Sequence, residues 1–112
     1  PQQRGDMPEV NWGMPVTTLQ QTYCLDPAWG QDSTFVRENL LGVSGTLWSE
    51  CINSTERIYY QAFPRAAALA EAGWSYPSRR NYTDFLRRLR PLTDDQQRRG
   101  IAVNLSEELK EK

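Results

Sequence analysis

Histidine is missing from all 112 residues. Its absence excludes Ser-His-Asp and Cys-His catalytic arrangements within this chain. It also removes the commonest metal ligand, and the two cysteines, Cys24 and Cys51, do not make a zinc site. Spacing leaves open whether they pair or remain free or buried thiols. No apolar run reaches the length that spans a membrane. A net field is missing too: 13 basic side chains face 14 acidic ones, for a formal charge of −1. That balance favours neither nucleic acid nor an anionic membrane as partner. No internal repeat is present. The length suits one small domain.

What the chain does have is aromatic area. Four tryptophans and five tyrosines stand in a sequence of 38% hydrophobic residues, so a packed core is attainable. Residues 1–16 carry Pro1, Pro8, Pro15, Gly5 and Gly13 and read as loop, anchored by Trp12 and Met14. Residues 17–25 suit a short helix with Leu19 and Tyr23 on one face, ended by Asp26-Pro27. Residues 26–39 read as loop again, with a turn at Trp29-Gly30.

Residues 40–48 form the one convincing strand. Leu41, Val43 and Leu47 make an apolar face, while Gly42, Ser44, Thr46, Trp48 and Glu50 make the other. Glycine inside a strand is costly unless something approaches closely, so the small face fits a crowded barrel interior. One strand alone leaves backbone groups unpaired on both sides. It must pair with strands outside this chain or between copies of it.

Helices follow. Asn53, with Glu56 three residues on, resembles a capping box. Ile58, Ala62, Ala66 and Leu69 recur at helical spacing beside Tyr59 and Phe63. Pro64 should kink or interrupt this helix, and Gly73 is placed to stop it. A second helix is expected from Asn81, with Tyr82, Phe85, Leu86, Leu89 and Leu92 as its stripe, a break near Pro91 and a stop at Gly100. Residues 104–112 read as a charged tail, frayed or disordered. Seven of the eleven arginines lie between Arg79 and Arg99. Asp84, Asp94 and Asp95 interleave with them, as on a solvated helix face.

Trp48 and Glu50 carry the sharpest chemistry. A carboxylate two residues after a tryptophan shares its face on a strand. The indole covers the C–H face of a sugar ring while the carboxylate accepts from its hydroxyls. The plain alternative is a core tryptophan followed by an exposed or helix-capping glutamate.

The stretches LLGVSGTLWSE (40–50) and YYQAFPRAAALAEAGW (59–74) closely resemble the last strand and last helix of the family 20 glycoside hydrolases, the β-N-acetylhexosaminidases. The resemblance covers roughly residues 12–102 and is strong over 40–74. It implies an α/β fold: the C-terminal fragment of a (β/α)₈ TIM barrel, mostly helical in isolation. Residues 1–103 would be barrel (1–39 loop and short helix, 40–48 last strand, 53–103 helices), with the tail at 104–112. By resemblance, Trp48 belongs to the pocket around the N-acetyl group and sugar, and Glu50 binds sugar hydroxyls. Trp12, in a Val-Asn-Trp-Gly segment, resembles a loop bordering the leaving-group side, although a local anchor explains it equally well. Tyr23 invites alignment with the family's Tyr-x-Asp motif, but its spacing is off by one residue, and it reads as packing. Arg65 and Glu71 are each able to bind another barrel element.

The family hydrolyses terminal β-linked N-acetylglucosamine or N-acetylgalactosamine by substrate-assisted retaining catalysis, without a cofactor. Its Asp-Glu catalytic pair has no counterpart here, because this chain contains no Asp-Glu dipeptide. The expectation is a fragment inactive alone, whose partners are an N-acetylhexosamine-containing glycan and the rest of the barrel upstream of Pro1, with self-association of the isolated chain. Two other readings remain: a small helical interaction or oligomerisation domain, and a sugar-binding remnant without catalysis.

Overall fold

A computed structural model describes residues 16–31, 33–49 and 52–110. Its elements are α1 (Leu19–Tyr23), α2 (Thr34–Asn39), α3 (Thr55–Ala62), α4 (Arg65–Trp74), a 3₁₀ turn (Pro77–Arg79), α5 (Tyr82–Arg98) and α6 (Glu107–Lys110). The core gathers Leu19 and Tyr23 of α1, Ala68 of α4, Phe85 and Leu89 of α5 and Leu109 of α6. It is thus a helical core, built on the expected faces of α1 and α5.

Local chemistry explains most of the boundaries. Thr18 and Gln21 close a capping box on α1. Asn81 caps α5 through the Asp84 amide, 2.9 Å away. That helix stops in a Schellman arrangement, with Gly100 N–H on the Gln97 carbonyl and Ile101 N–H on the Gln96 carbonyl.

Several expectations are corrected. Residues 34–39, expected as loop, are helical, because Ser33 Oγ accepts from the Val36 amide and caps them. The cap of α3 is Ser54, accepting from Arg57 N at 3.1 Å, and not Asn53. Pro64 interrupts the helix as expected: α3 ends at Ala62 and α4 begins at Arg65, across a cis Phe63–Pro64 bond. Pro91 does less than expected, since α5 runs through it unbroken. Its position is exposed, so water can serve the Arg87 carbonyl that loses an amide partner. Gly73 does not stop α4, which continues through Trp74. The stripe of α3 is not core: Ile58 and Tyr59 are exposed and Arg57 is its buried residue. On α5, Thr93 is buried where Leu92 was expected.

The start of the charged tail is packed. Asn104 N–H donates to the Phe63 carbonyl at 3.1 Å, Arg90 Nη2 donates to the Glu108 carbonyl, and Leu105 and Leu109 join the core. Among the described residues no strand forms. A strand is defined by pairing, and residues 40–48 pair with no other described segment.

Candidate functional site

Residues 40–48 run across α4. A Cβ added to Gly73 would lie 2.6 Å from Val43 Cγ2, and one added to Gly45 would lie 2.5 Å from Leu69 Cδ2. So close an approach needs residues without a Cβ. Val43 and Gly45 therefore face α4. Alternate residues of an extended segment point to opposite sides, and Ser44, Thr46 and Trp48, which alternate with Val43 and Gly45, are exposed. Of the apolar face expected here, only Val43 is partly covered. Leu41 and Leu47, assigned to the apolar face with Val43, stay uncovered at 100% and 48% exposure.

Trp48 ends the segment with 69% of its surface exposed. The chain then turns, Ile52 N–H donating to the Ser49 carbonyl at 3.1 Å, and enters the Ser54-capped start of α3. Trp12 and Glu50 lie outside the described residues, and so does Cys51. Cys24 is an exposed free thiol. Among the described residues, no group of three His, Cys, Asp or Glu side chains is arranged to hold a metal ion.

The helices behind the segment are tied together by charge and ring contacts that sequence reasoning missed. Glu71 of α4 accepts from Tyr23 Oη of α1 at 3.4 Å and from Arg88 Nη2 of α5 at 2.7 Å. Arg88 also reaches Asp84, so it is not the purely solvated arginine expected. Arg80 Nη1 donates to the Tyr23 and Leu25 carbonyls at the end of α1. Arg65 spans α1 and α3, donating to the Thr17 and Gln61 carbonyls. Burial holds its guanidinium below the usual range.

Tyr23 packs, as its spacing implies. Its ring lies 4.7 Å from Phe85 and 5.2 Å from Tyr82 between centroids. Burial, and then the Glu71 carboxylate, push its hydroxyl above the ordinary tyrosine value. Arg65 and Glu71 thus find their partners within this chain. The pairings were not legible because they join residues up to 48 positions apart.

What this arrangement offers chemically is an aromatic plate at the end of an extended segment, held by a rigid helix. This chain contains no Asp-Glu dipeptide. The comparisons agree with that partial character. The model of glycosyl hydrolase family 20, catalytic domain, matches residues 1–77. A β-hexosaminidase of Akkermansia muciniphila is 40% identical over 89 residues, covering 75% of this chain and 18% of its own length. One from Porphyromonas gingivalis is 35% identical over 71 residues, covering 63% and 9%. A crystal structure of a family 20 exo-β-N-acetylglucosaminidase from Vibrio harveyi, in complex with N-acetylglucosamine, superposes with a TM-score of 0.74 at 31% identity. It covers 88% of this chain and 15% of its own. The chain therefore spans less than a fifth of each of these relatives, and it belongs to glycosyl hydrolase family 20.

Proposed function

We propose that this chain is the C-terminal part of the catalytic (β/α)₈ barrel of a β-N-acetylhexosaminidase, with residues 40–48 as the last barrel strand and the following helices as its outer layer. The complete enzyme removes terminal β-linked N-acetylglucosamine or N-acetylgalactosamine. The observation that carries this reading is the unpaired segment 40–48, seated on α4 and ending in exposed Trp48, in a chain of this family. An outer helix behind a strand whose other side is open is what one βα unit of a barrel provides, and barrel sites lie at strand C-terminal ends.

In this reading Trp48 stacks on the sugar and walls the acetamido pocket. Glu50 accepts from the sugar hydroxyls, and Trp12 borders the leaving-group side. The reaction is retaining and substrate-assisted: the acetamido oxygen attacks the anomeric carbon, so no carboxylate of the enzyme acts as nucleophile. An Asp-Glu pair outside this chain orients the acetamido group and supplies the general acid/base.

A chromogenic β-N-acetylglucosaminide tests it directly. The complete protein should turn over the glycoside and the isolated chain should not. A complete protein inert towards both N-acetylglucosaminides and N-acetylgalactosaminides would overturn the assignment. Turnover by the isolated chain that survives repurification would overturn the partition of catalytic groups.

A further inference from the structure

The two close approaches between residues 40–48 and α4 are commensurate. Val43 and Gly45 are two residues apart on an extended segment, a rise of about 6.6 Å. Leu69 and Gly73 are four apart on a helix, a rise of about 6 Å, and lie on one stripe of it. Val43 seats in the notch left by Gly73, and Leu69 seats in the notch left by Gly45. Each element thus contributes one knob and one notch, and the segment and helix run in opposite directions. Sliding the segment by two residues would drive Val43 against Leu69 and remove both fits. The helix side is stiff, for Ala68 and Ala72 of α4 are buried at 0% and 3% exposure.

We propose that this interlock sets the register of the segment and hence the position of Trp48, which makes Gly45 and Gly73 positioning residues for sugar binding. The role in binding rests on the reading of Trp48 as a sugar ligand. Carbon atoms pack at about 3.5–4.0 Å, so a methyl group at residue 73 must displace Val43 by roughly 1 Å. Val43 is β-branched and stiff at χ1, so the backbone rather than a rotamer takes up the shift. Leu69 Cδ2 is the far end of a more adaptable side chain, so Gly45 should tolerate a methyl group better.

The test is a size swap in the complete enzyme with two readouts. The first is kinetics on a chromogenic β-N-acetylglucosaminide. The second is acrylamide quenching of Trp48 emission, taken as the difference between each variant and the same variant carrying Trp48→Phe. Misplacement by about 1 Å can cost on the order of a hundredfold, so Gly73→Ala should lower kcat/KM by roughly 10–100-fold, chiefly through KM, and change Trp48 quenching. Adding Val43→Ala should restore both readouts, whereas adding Leu69→Ala to Gly73→Ala should not. Gly45→Ala should show a smaller loss, reversed by Leu69→Ala and not by Val43→Ala. If Gly73→Ala fails to fold, the Gly45 and Leu69 pair provides the same comparison. Wild-type kinetics and quenching in Gly73→Ala would overturn the proposal, and so would a loss reversed equally by either truncation. A complete protein without glycosidase activity sinks the functional reading instead, while the quenching comparison still decides the interlock.

Discussion

Arg88 Nη2 lies 2.7 Å from Glu71 Oε1, and this ion pair joins α5 to α4. The carboxylate is well covered at 14% side-chain exposure, whereas the guanidinium is half exposed at 49%. Glu71 also accepts from Tyr23, so a single carboxylate links three helices. The Arg88 guanidinium is held above its usual range by its hydrogen bonds to Glu71 and Asp84. Truncating it exposes the consequence of losing one of those links.

Arg88→Ala should lower the stability of the complete enzyme by about 0.5–1 kcal/mol, the range of partly screened ion pairs. Glu71→Ala should cost more, because it also strips Tyr23 of its acceptor. Arg88 is held by Glu71 and Asp84 and is not among the residues read as sugar ligands, so kcat/KM should stay within about twofold for Arg88→Ala. Denaturant titration at low and high salt, run beside the glycosidase assay, checks both statements. A stability loss for Arg88→Ala that does not shrink with salt would contradict the electrostatic account.

Tyr82 makes a pH prediction with a definite sign. Its hydroxyl donates to Glu108 Oε2 at 2.9 Å, tying α5 to the docked tail. Burial first, and then the Glu108 carboxylate, raise its ionisation above the ordinary value of 10.0. A pKa raised on folding gives stability that is complete below the unfolded value, near 10, and lost as pH rises through the folded one. Tyr82→Phe should therefore cost about 0.5–1 kcal/mol at neutral pH, after discounting for solvent screening. It should also flatten the alkaline loss of stability above about pH 10. The flattening is partial, because the Tyr23 hydroxyl is raised in the same sense. Unfolding curves from pH 7 to 11.5 that stay parallel for the two proteins would contradict it.

How far the sequence could be read follows from which signals are local. The start of α5 at Asn81 was legible because a cap and an apolar stripe are both short-range. Over residues 40–48 Leu41 and Leu47, expected to be covered with Val43, are exposed, but the apolar run itself was legible because composition is a property of the segment. Pairing is not, so the strand appears only as an extended run. Gly73 looked like a helix stop, since glycine near a helix end usually is one, but its use is set by Val43 thirty residues earlier. Docking of Asn104, Leu105 and Leu109 depends on the Phe63 carbonyl and the α1–α4–α5 core, which no window around the tail contains. For the site, Trp48 and Glu50 came from spacing and resemblance together; of the two, the structure describes Trp48 alone.

The isolated chain should associate or melt at low temperature. Leu41, Leu47, Trp48 and Trp74 are exposed at 100%, 48%, 69% and 92%. Large apolar side chains left exposed in this number, beside a segment that pairs with no other described segment, favour self-association. Sedimentation should show mass rising with concentration, together with a broad thermal transition. A monodisperse monomer with a sharp, high-temperature transition would favour an autonomous helical domain.

Glu50→Gln in the complete enzyme tests the site most directly. In the proposed reading Glu50, two residues after Trp48 in the sequence, is the carboxylate that accepts from the sugar hydroxyls. A sugar hydroxyl donating to a carboxylate is worth about 1.5–3 kcal/mol, and the amide keeps the shape while losing the charge. The expected loss in kcat/KM is roughly tenfold to just over a hundredfold, with the melting temperature unchanged. Trp48→Ala should lose at least as much, because it removes ring stacking and opens the acetamido pocket together. Steady-state kinetics on a chromogenic N-acetylglucosaminide, with thermal melts of each variant, give the comparison, and Arg88→Ala serves as the reference away from the site. Unaltered kinetics for Glu50→Gln at the same melting temperature would mean that the carboxylate does not touch the sugar, and Trp48 would then have to hold the ring by stacking alone.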